Sequence, residues 1–228
     1  MNLNKIKISD YGFDTLQIES TAACNMACSF CPYPLKEDKT SKIELNDIYS
    51  LLDSIDFSDK KFKYVTFSQF NEPLLDKRIF DILKYCKEKD IPVLFITNGL
   101  LLNKQHNIDN LLKFGTNIKI SLQVLDSNKH KNARGLNLEL ERYLKTVTNF
   151  CLMAKNKKDI NITIDLGCNF NDRKVNYYLK KILGIQVGDP SVPKNLTETM
   201  KIFSNYADFF YDISDENYKT ALNELKTP

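Results

Sequence analysis

The chain has 228 residues, 43% apolar and 27% charged, the balance of a globular protein with one substantial core, which excludes disorder, collagen-like repeats and a disulfide-held miniprotein. With 32 basic and 29 acidic residues the formal charge is only +3, too small to predict a phosphate-tracking surface without a clustered basic stripe, so no nucleic-acid partner is expected. Residues 1–10 alternate polar and apolar side chains instead of building a signal-peptide core, and no run approaches the roughly 18 apolar residues of a membrane span, so a cytoplasmic protein with no membrane partner is expected.

Short β-rich runs alternate with segments of helical spacing, the pattern of a parallel sheet joined by right-handed crossovers. A strand at 15–21 comes first, followed by a cysteine-rich stretch and a helix with the stripe Ile48, Leu51, Leu52 and Ile55. A strand at 63–68 leads to a helix with Ile79, Ile82, Leu83 and Cys86, and a strand at 92–97 to one with Ile108, Leu111 and Leu112. The strand at 117–123 precedes the stripe Leu140, Leu144, Val147 and Cys151, and a fifth strand at 161–166 precedes a helix near 175–183. A sixth short strand fits 184–187, a loop with Pro190 and Pro193 fits 189–193, and two helical stretches fit 196–206 and 216–225. There is no repeat or linker-like tract, so one domain over 1–228 is expected, with a core at about 14–187 and a divergent helical extension at 188–228.

Alternation within the strands separates two faces. Leu16 and Ile18 oppose Gln17, Glu19 and Thr21; Val65 and Phe67 oppose Thr66 and Ser68; Ile118, Ile120 and Leu122 oppose Lys119, Ser121 and Gln123; Ile162 and Ile164 oppose Thr163 and Asp165. A closed eight-stranded barrel fills its interior with branched aliphatics, and a doubly wound sheet buries both faces. A polar inner face fits an α/β fold of the partial (β/α)6 TIM-like barrel type, a parallel sheet with helices on the outer face; an open sheet with one solvated face is the alternative. Gln17, Glu19, Lys119, Gln123, Thr163 and Asp165 would point into the lumen, which suits a polar substrate over a lipid tail.

Cys24, Cys28 and Cys31 form CxxxCxxC directly after the first strand, at the C-terminal mouth where α/β sites gather. Three thiolates on one short loop suit a 4Fe-4S cluster with one iron left open. Structural zinc wants four ligands, usually on two paired arms. Cys86 and Cys151 read as core residues and the two histidines, His106 and His130, lie in unrelated polar segments, so no second arm is evident.

These residues resemble the radical S-adenosylmethionine (radical SAM) superfamily over about 14–187. Phe70-Asn71-Glu72-Pro73-Leu74-Leu75 after the second strand is similar to that family's Gly-Gly-Glu-Pro segment in its Asn-Glu-Pro variant, although Gln69, Phe70 and Asn71 occupy the turn in place of the glycines. Thr97-Asn98-Gly99, Ile120-Ser121-Leu122 and the stretch from His130 to Arg134-Gly135 follow in the family's order. The variant resembles the SPASM-type branch, whose members often carry a C-terminal cysteine-rich domain and act on peptides; this sequence has no such cysteines before Pro228.

The resemblance implies an oxidoreductase with two cofactors, a 4Fe-4S cluster and S-adenosyl-L-methionine (SAM). The cluster, on Cys24, Cys28 and Cys31, would reductively cleave SAM to a 5′-deoxyadenosyl radical that abstracts hydrogen from a peptide, sugar or nucleoside, with an electron donor such as flavodoxin or ferredoxin as partner. Glu72 would accept from the amino group of SAM, Ser121 would bind ribose or carboxylate, and Arg134, in competition with Arg142, would pair with the methionine carboxylate. Asn71, Asn98 and Gln123 complete the expected cofactor-binding set, Asn98 reading equally as a turn residue before Gly99. Phe30 would shield the cluster. Cys168, past the fifth strand, would be a catalytic hydrogen donor or a plain loop thiol. A silent iron-sulfur and SAM-binding scaffold, or a shortened form of a longer peptide-modifying enzyme, stands as the alternative.

Overall fold

The computed structural model describes residues 5–29, 31–115, 117–122, 134–135, 140–154 and 157–165. Within them the order is β1 (Thr15–Gln17), α1 (Leu45–Ser54), β2 (Tyr64–Thr66), α2 (Ile79–Glu88), β3 (Leu94–Thr97), α3 (Gln105–Phe114), β4 (Asn117–Ser121), α4 (Leu140–Ala154) and β5 (Asn161–Asp165). Every ladder is parallel: Leu16 lies opposite Val65, Phe95 opposite Ile118, and Ile118 opposite Ile162. A single bridge between Val65 and Val93 joins the two-stranded and three-stranded sheets, with the Val65 amide donating to the Pro92 carbonyl at 2.8 Å. Pro92 has no N–H to return, which keeps that seam narrow.

Helices cover one face. Val65, Phe67, Phe95, Ile118 and Ile120 from the strand segments are buried with Ile48, Leu52, Ile79, Ile82, Leu83 and Leu111 from the helices. Cys86 and Cys151 belong to this core as expected, and burial pushes both thiols up to about 12, so neither is a reactive thiolate. One stripe differs from the periodicity reading. Leu51 is 40% exposed, because α1 needs only Ile48, Leu52 and the following Ile55 to seal its face. On α4 the expected Val147 and Cys151 are buried, and among the described side chains Tyr143, Phe150 and Ala154 join them.

β1 and β2 stop short of their β-rich runs because the chain turns away to build a rim, whereas β3 keeps the expected C-terminal end at Thr97 and starts two residues later, after Pro92 and Val93. After β1 the Ile18 amide still donates to Thr66, but Thr21 then bridges antiparallel to Lys42, with Ala22 donating to Ser41 and Ile43 donating to Ser20. That short pairing closes the base of the excursion that carries the three cysteines. The sixth strand, the helix at 175–183 and the extension at 188–228 lie outside the described residues. Among the described residues no helix is long and apolar enough to cross a membrane.

Candidate functional site

The cysteine loop leaves the rim at residue 23 and is tied at several points. The Cys31 amide donates to the Cys28 carbonyl at 3.1 Å, and the Tyr33 hydroxyl to the Cys24 carbonyl at 2.9 Å. Lys36, just beyond, pairs with Glu19 at 2.6 Å, and the other oxygen of Glu19 accepts from the Phe70 amide at 2.6 Å. Glu19 therefore clamps the loop's exit and the turn after β2 to the end of β1. Each cysteine sulfur has an N–H neighbour: the Met26 amide at Cys24, the Tyr33 amide at Cys31 (3.4 Å) and Arg134 Nη1 at Cys28 (3.5 Å). Burial pushes the Cys24 thiol up to about 11, so its thiolate needs a compensating cation.

Glu72 sits at the end of the turn after β2, wholly buried. Its backbone amide donates to Ala23, fixing it against the start of the cysteine loop. Oε1 accepts from the Leu74 amide (3.1 Å) and Thr97 Oγ1 (2.8 Å), and Oε2 accepts from the Asn98 amide (2.7 Å). Burial raises the carboxyl to about 7, opposed by these three donors and by the Arg134 charge. The preceding turn dispenses with glycine: Asn71 Oδ1 accepts from Gln69 and its Nδ2 donates to the Phe67 carbonyl, and none of residues 69–71 has positive φ. Asn71 thus commits both ends of its amide to the turn. Asp76 holds the start of α2, accepting from the Arg78 amide and its guanidinium.

Asn98 links β3 to the cysteine loop through Nδ2 to Asn25 Oδ1 (2.7 Å), while its Oδ1 accepts from Leu100 (3.0 Å). The turn it makes precedes Gly99 at φ 79°, as its reading as a turn residue expects. The Asn98 carbonyl accepts from the Tyr143 hydroxyl, and the Arg134 charge lies within electrostatic reach of Tyr143. Arg134 is 3% exposed, whereas Arg142 lies on the exposed face of α4; of the two arginines, Arg134 is the one at the mouth. Its carbonyl accepts from the Ala27 amide at 3.1 Å. Gly135 follows at φ 66°, and a Cβ there would stand 2.4 Å from the Ala27 oxygen, so only glycine lets this segment lie against the loop.

A cavity of about 140 Å³ brings Cys24, Cys28, Cys31, Asn71, Glu72, Asn98, Ser121 and Arg134 onto one lining, together with Met26 and Ile96. Among the described residues no three His, Cys, Asp or Glu side chains are grouped to hold a single ion. A cubane asks for something else, because each of its cysteines binds a different iron. Gln123, Phe30, His130 and Cys168 lie outside the described residues. Of the expected lumen side chains, Gln17 and Thr163 are exposed and Glu19 and Lys119 half-buried. Tyr33 and Tyr143 are residues at the site that the motifs do not single out; Tyr143 lies four residues before Val147, the spacing that gives it a place on the α4 stripe.

Residues 18–182 match the family described as Radical SAM superfamily. Among solved structures, Streptococcus suis SuiB bound to S-adenosylmethionine superposes with a TM-score of 0.56 at 18% identity, over 86% of this chain and 47% of that one. SuiB bound to precursor peptide SuiA gives 0.55 at 22% identity, over 92% and 44%. TYW1 with a lysine-pyruvate adduct bound gives 0.50 at 17% identity, over 86% and 73%. These likenesses establish the expected partial-barrel α/β fold. The chain thus spans about half the length of SuiB. A shorter match, 33% identical over 96 residues, is to GTPase Obg of Brachyspira hyodysenteriae and covers 39% of this chain and 14% of that protein. A phosphate-binding P-loop needs Gly-Lys-Ser/Thr, and none of the seven glycines here precedes a lysine. The superfamily match starts directly after β1 and runs past β5, well over half of the sequence, and on that extent the protein belongs to the radical SAM superfamily.

Proposed function

We propose that Cys24, Cys28 and Cys31 hold a 4Fe-4S cluster with one open iron, and that the cavity wall opposite them binds S-adenosylmethionine. The observation that carries this reading is the shared lining: three cysteines, each with an N–H neighbour, face the same 140 Å³ space as Glu72, Asn98 and Ser121. Donors aimed at sulfur favour thiolates, and a buried thiol raised to about 11 becomes a ligand when a metal supplies the charge. When bound, these groups supply reductive cleavage of SAM to methionine and a 5′-deoxyadenosyl radical that takes hydrogen from substrate.

The chain's own residues position and exclude. Glu72 offers carboxylate oxygens beside Cys24 to the amino end of the nucleotide. Ser121, on the half-buried inner face of β4, offers a hydroxyl to ribose or carboxylate. Met26 and Ile96 supply apolar cover that keeps water from the reacting centre. The inner face has mixed polar and charged side chains, which favours a polar substrate, and the peptide bound by SuiB makes a peptide the first class to try. A low-potential donor of the flavodoxin or ferredoxin type would deliver the electron.

Anaerobic reconstitution with ferrous iron and sulfide tests the reading. It predicts about four irons and four sulfides per chain, a reduced-cluster EPR signal that changes on adding SAM, and loss of both in Cys28→Ala. A colourless protein with one zinc and no acid-labile sulfide contradicts it.

A further inference from the structure

We propose that Arg134 donates a charge-assisted hydrogen bond to the sulfur of Cys28 and thereby raises the reduction potential of the cluster that this cysteine holds. The inference rests on the cluster assignment above, and it gives Arg134 a task in the protein before any nucleotide arrives. Arg134 Nη1 lies 3.5 Å from Cys28 Sγ. Both residues are buried, Arg134 at 3% and Cys28 at 7% exposure, so water does little to screen the contact.

Arg134 is held in place from two sides. Its backbone carbonyl accepts from Ala27, the residue before Cys28, at 3.1 Å. Gly135, at φ 66°, lets the segment pack against the Ala27 oxygen where any Cβ would collide. From α4, the buried Tyr143 lies within electrostatic reach of the Arg134 charge and donates its hydroxyl to the Asn98 carbonyl at the end of β3.

The three sulfurs are not treated alike. Cys24 and Cys31 receive neutral backbone amides, from Met26 and Tyr33, whereas among the described residues Cys28 receives a full positive charge, from a residue 106 positions away. One-electron reduction adds a negative charge that spreads over the cluster's sulfurs with no bond made or broken. A fixed cation beside one sulfur favours the reduced form more than the oxidised form, so the potential rises. Arg134 is on this account a positioning and tuning residue.

The test is an EPR-monitored redox titration of the full reconstituted chain without SAM, using dithionite and mediators. Arg134→Gln, with wild-type iron content, should lower the reduced-to-oxidised ratio at a fixed poise about tenfold, which is ~59 mV for a one-electron couple. Arg134→Lys, which keeps the charge but loses the fork, should fall between the glutamine variant and wild type. An unchanged potential in Arg134→Gln, with only SAM binding weakened, overturns the inference and leaves the carboxylate role alone. Loss of the cluster from both variants also overturns it, making the residue a loop anchor. A wild type that takes up no cluster defeats the proposed function itself.

Discussion

Glu72 combines two demands that ordinarily conflict: full burial and three hydrogen-bond donors aimed at its carboxylate. Because its folded-state value, about 7, exceeds the usual 4.5, the folded protein holds the proton more tightly. Its contribution to stability is full below about pH 4.5 and is lost as pH rises through 7. In denaturant titrations of the apoprotein, wild type should lose on the order of 3 kcal/mol relative to Glu72→Gln between those limits; parallel pH profiles would contradict this. In the reconstituted protein, Glu72→Ala should weaken SAM binding by about 1.5–3 kcal/mol, read by equilibrium binding, with iron content retained. Gly135→Ala should instead lose iron, since the added methyl meets the Ala27 carbonyl that leads into Cys28. The cysteines, Glu72, Asn98, Ser121 and Arg134 are legible in the sequence because their chemistry and order are visible in the chain. Tyr33 and Tyr143 are not, because their contribution is a contact made across the fold, and Gly135, though part of the matched stretch, shows its close approach to Ala27 only in the structure.

At the scale of elements, periodicity locates all five described strands and four helices, and it fails where tertiary packing outweighs local pattern. The runs at β1 and β2 read a few residues too long, since β-rich sequence continues past the point where the chain diverges to form the mouth and, after β1, exchanges ladder bonds for rim contacts such as Thr21 with Lys42. On α4, Tyr143 and Phe150 form the buried face that an aliphatic count overlooks. This predicts opposite outcomes for two hydrophobic truncations. Phe150→Ala should cost about 3–5 kcal/mol, while Leu51→Ala, at 40% exposure, should stay within roughly 0.5 kcal/mol. Comparable losses in chemical denaturation would mean that the two faces are misassigned.

For the whole molecule, the parallel order β1 to β5 puts every described candidate residue at one end, where strand termini and the cysteine loop converge, and the helices seal the opposite face. The sealed face follows from the alternation of polar and apolar residues, and the gathering at one end follows from the parallel strand order. The central claim is that three thiols and a buried carboxylate share one cavity in order to open a sulfonium nucleotide. The most direct measurement is 5′-deoxyadenosine released by the anaerobically reconstituted chain on adding dithionite and SAM. Release by wild type and none from Cys28→Ala is the predicted result; equal release by the two proteins, or none by a wild type carrying its full cluster, would contradict it.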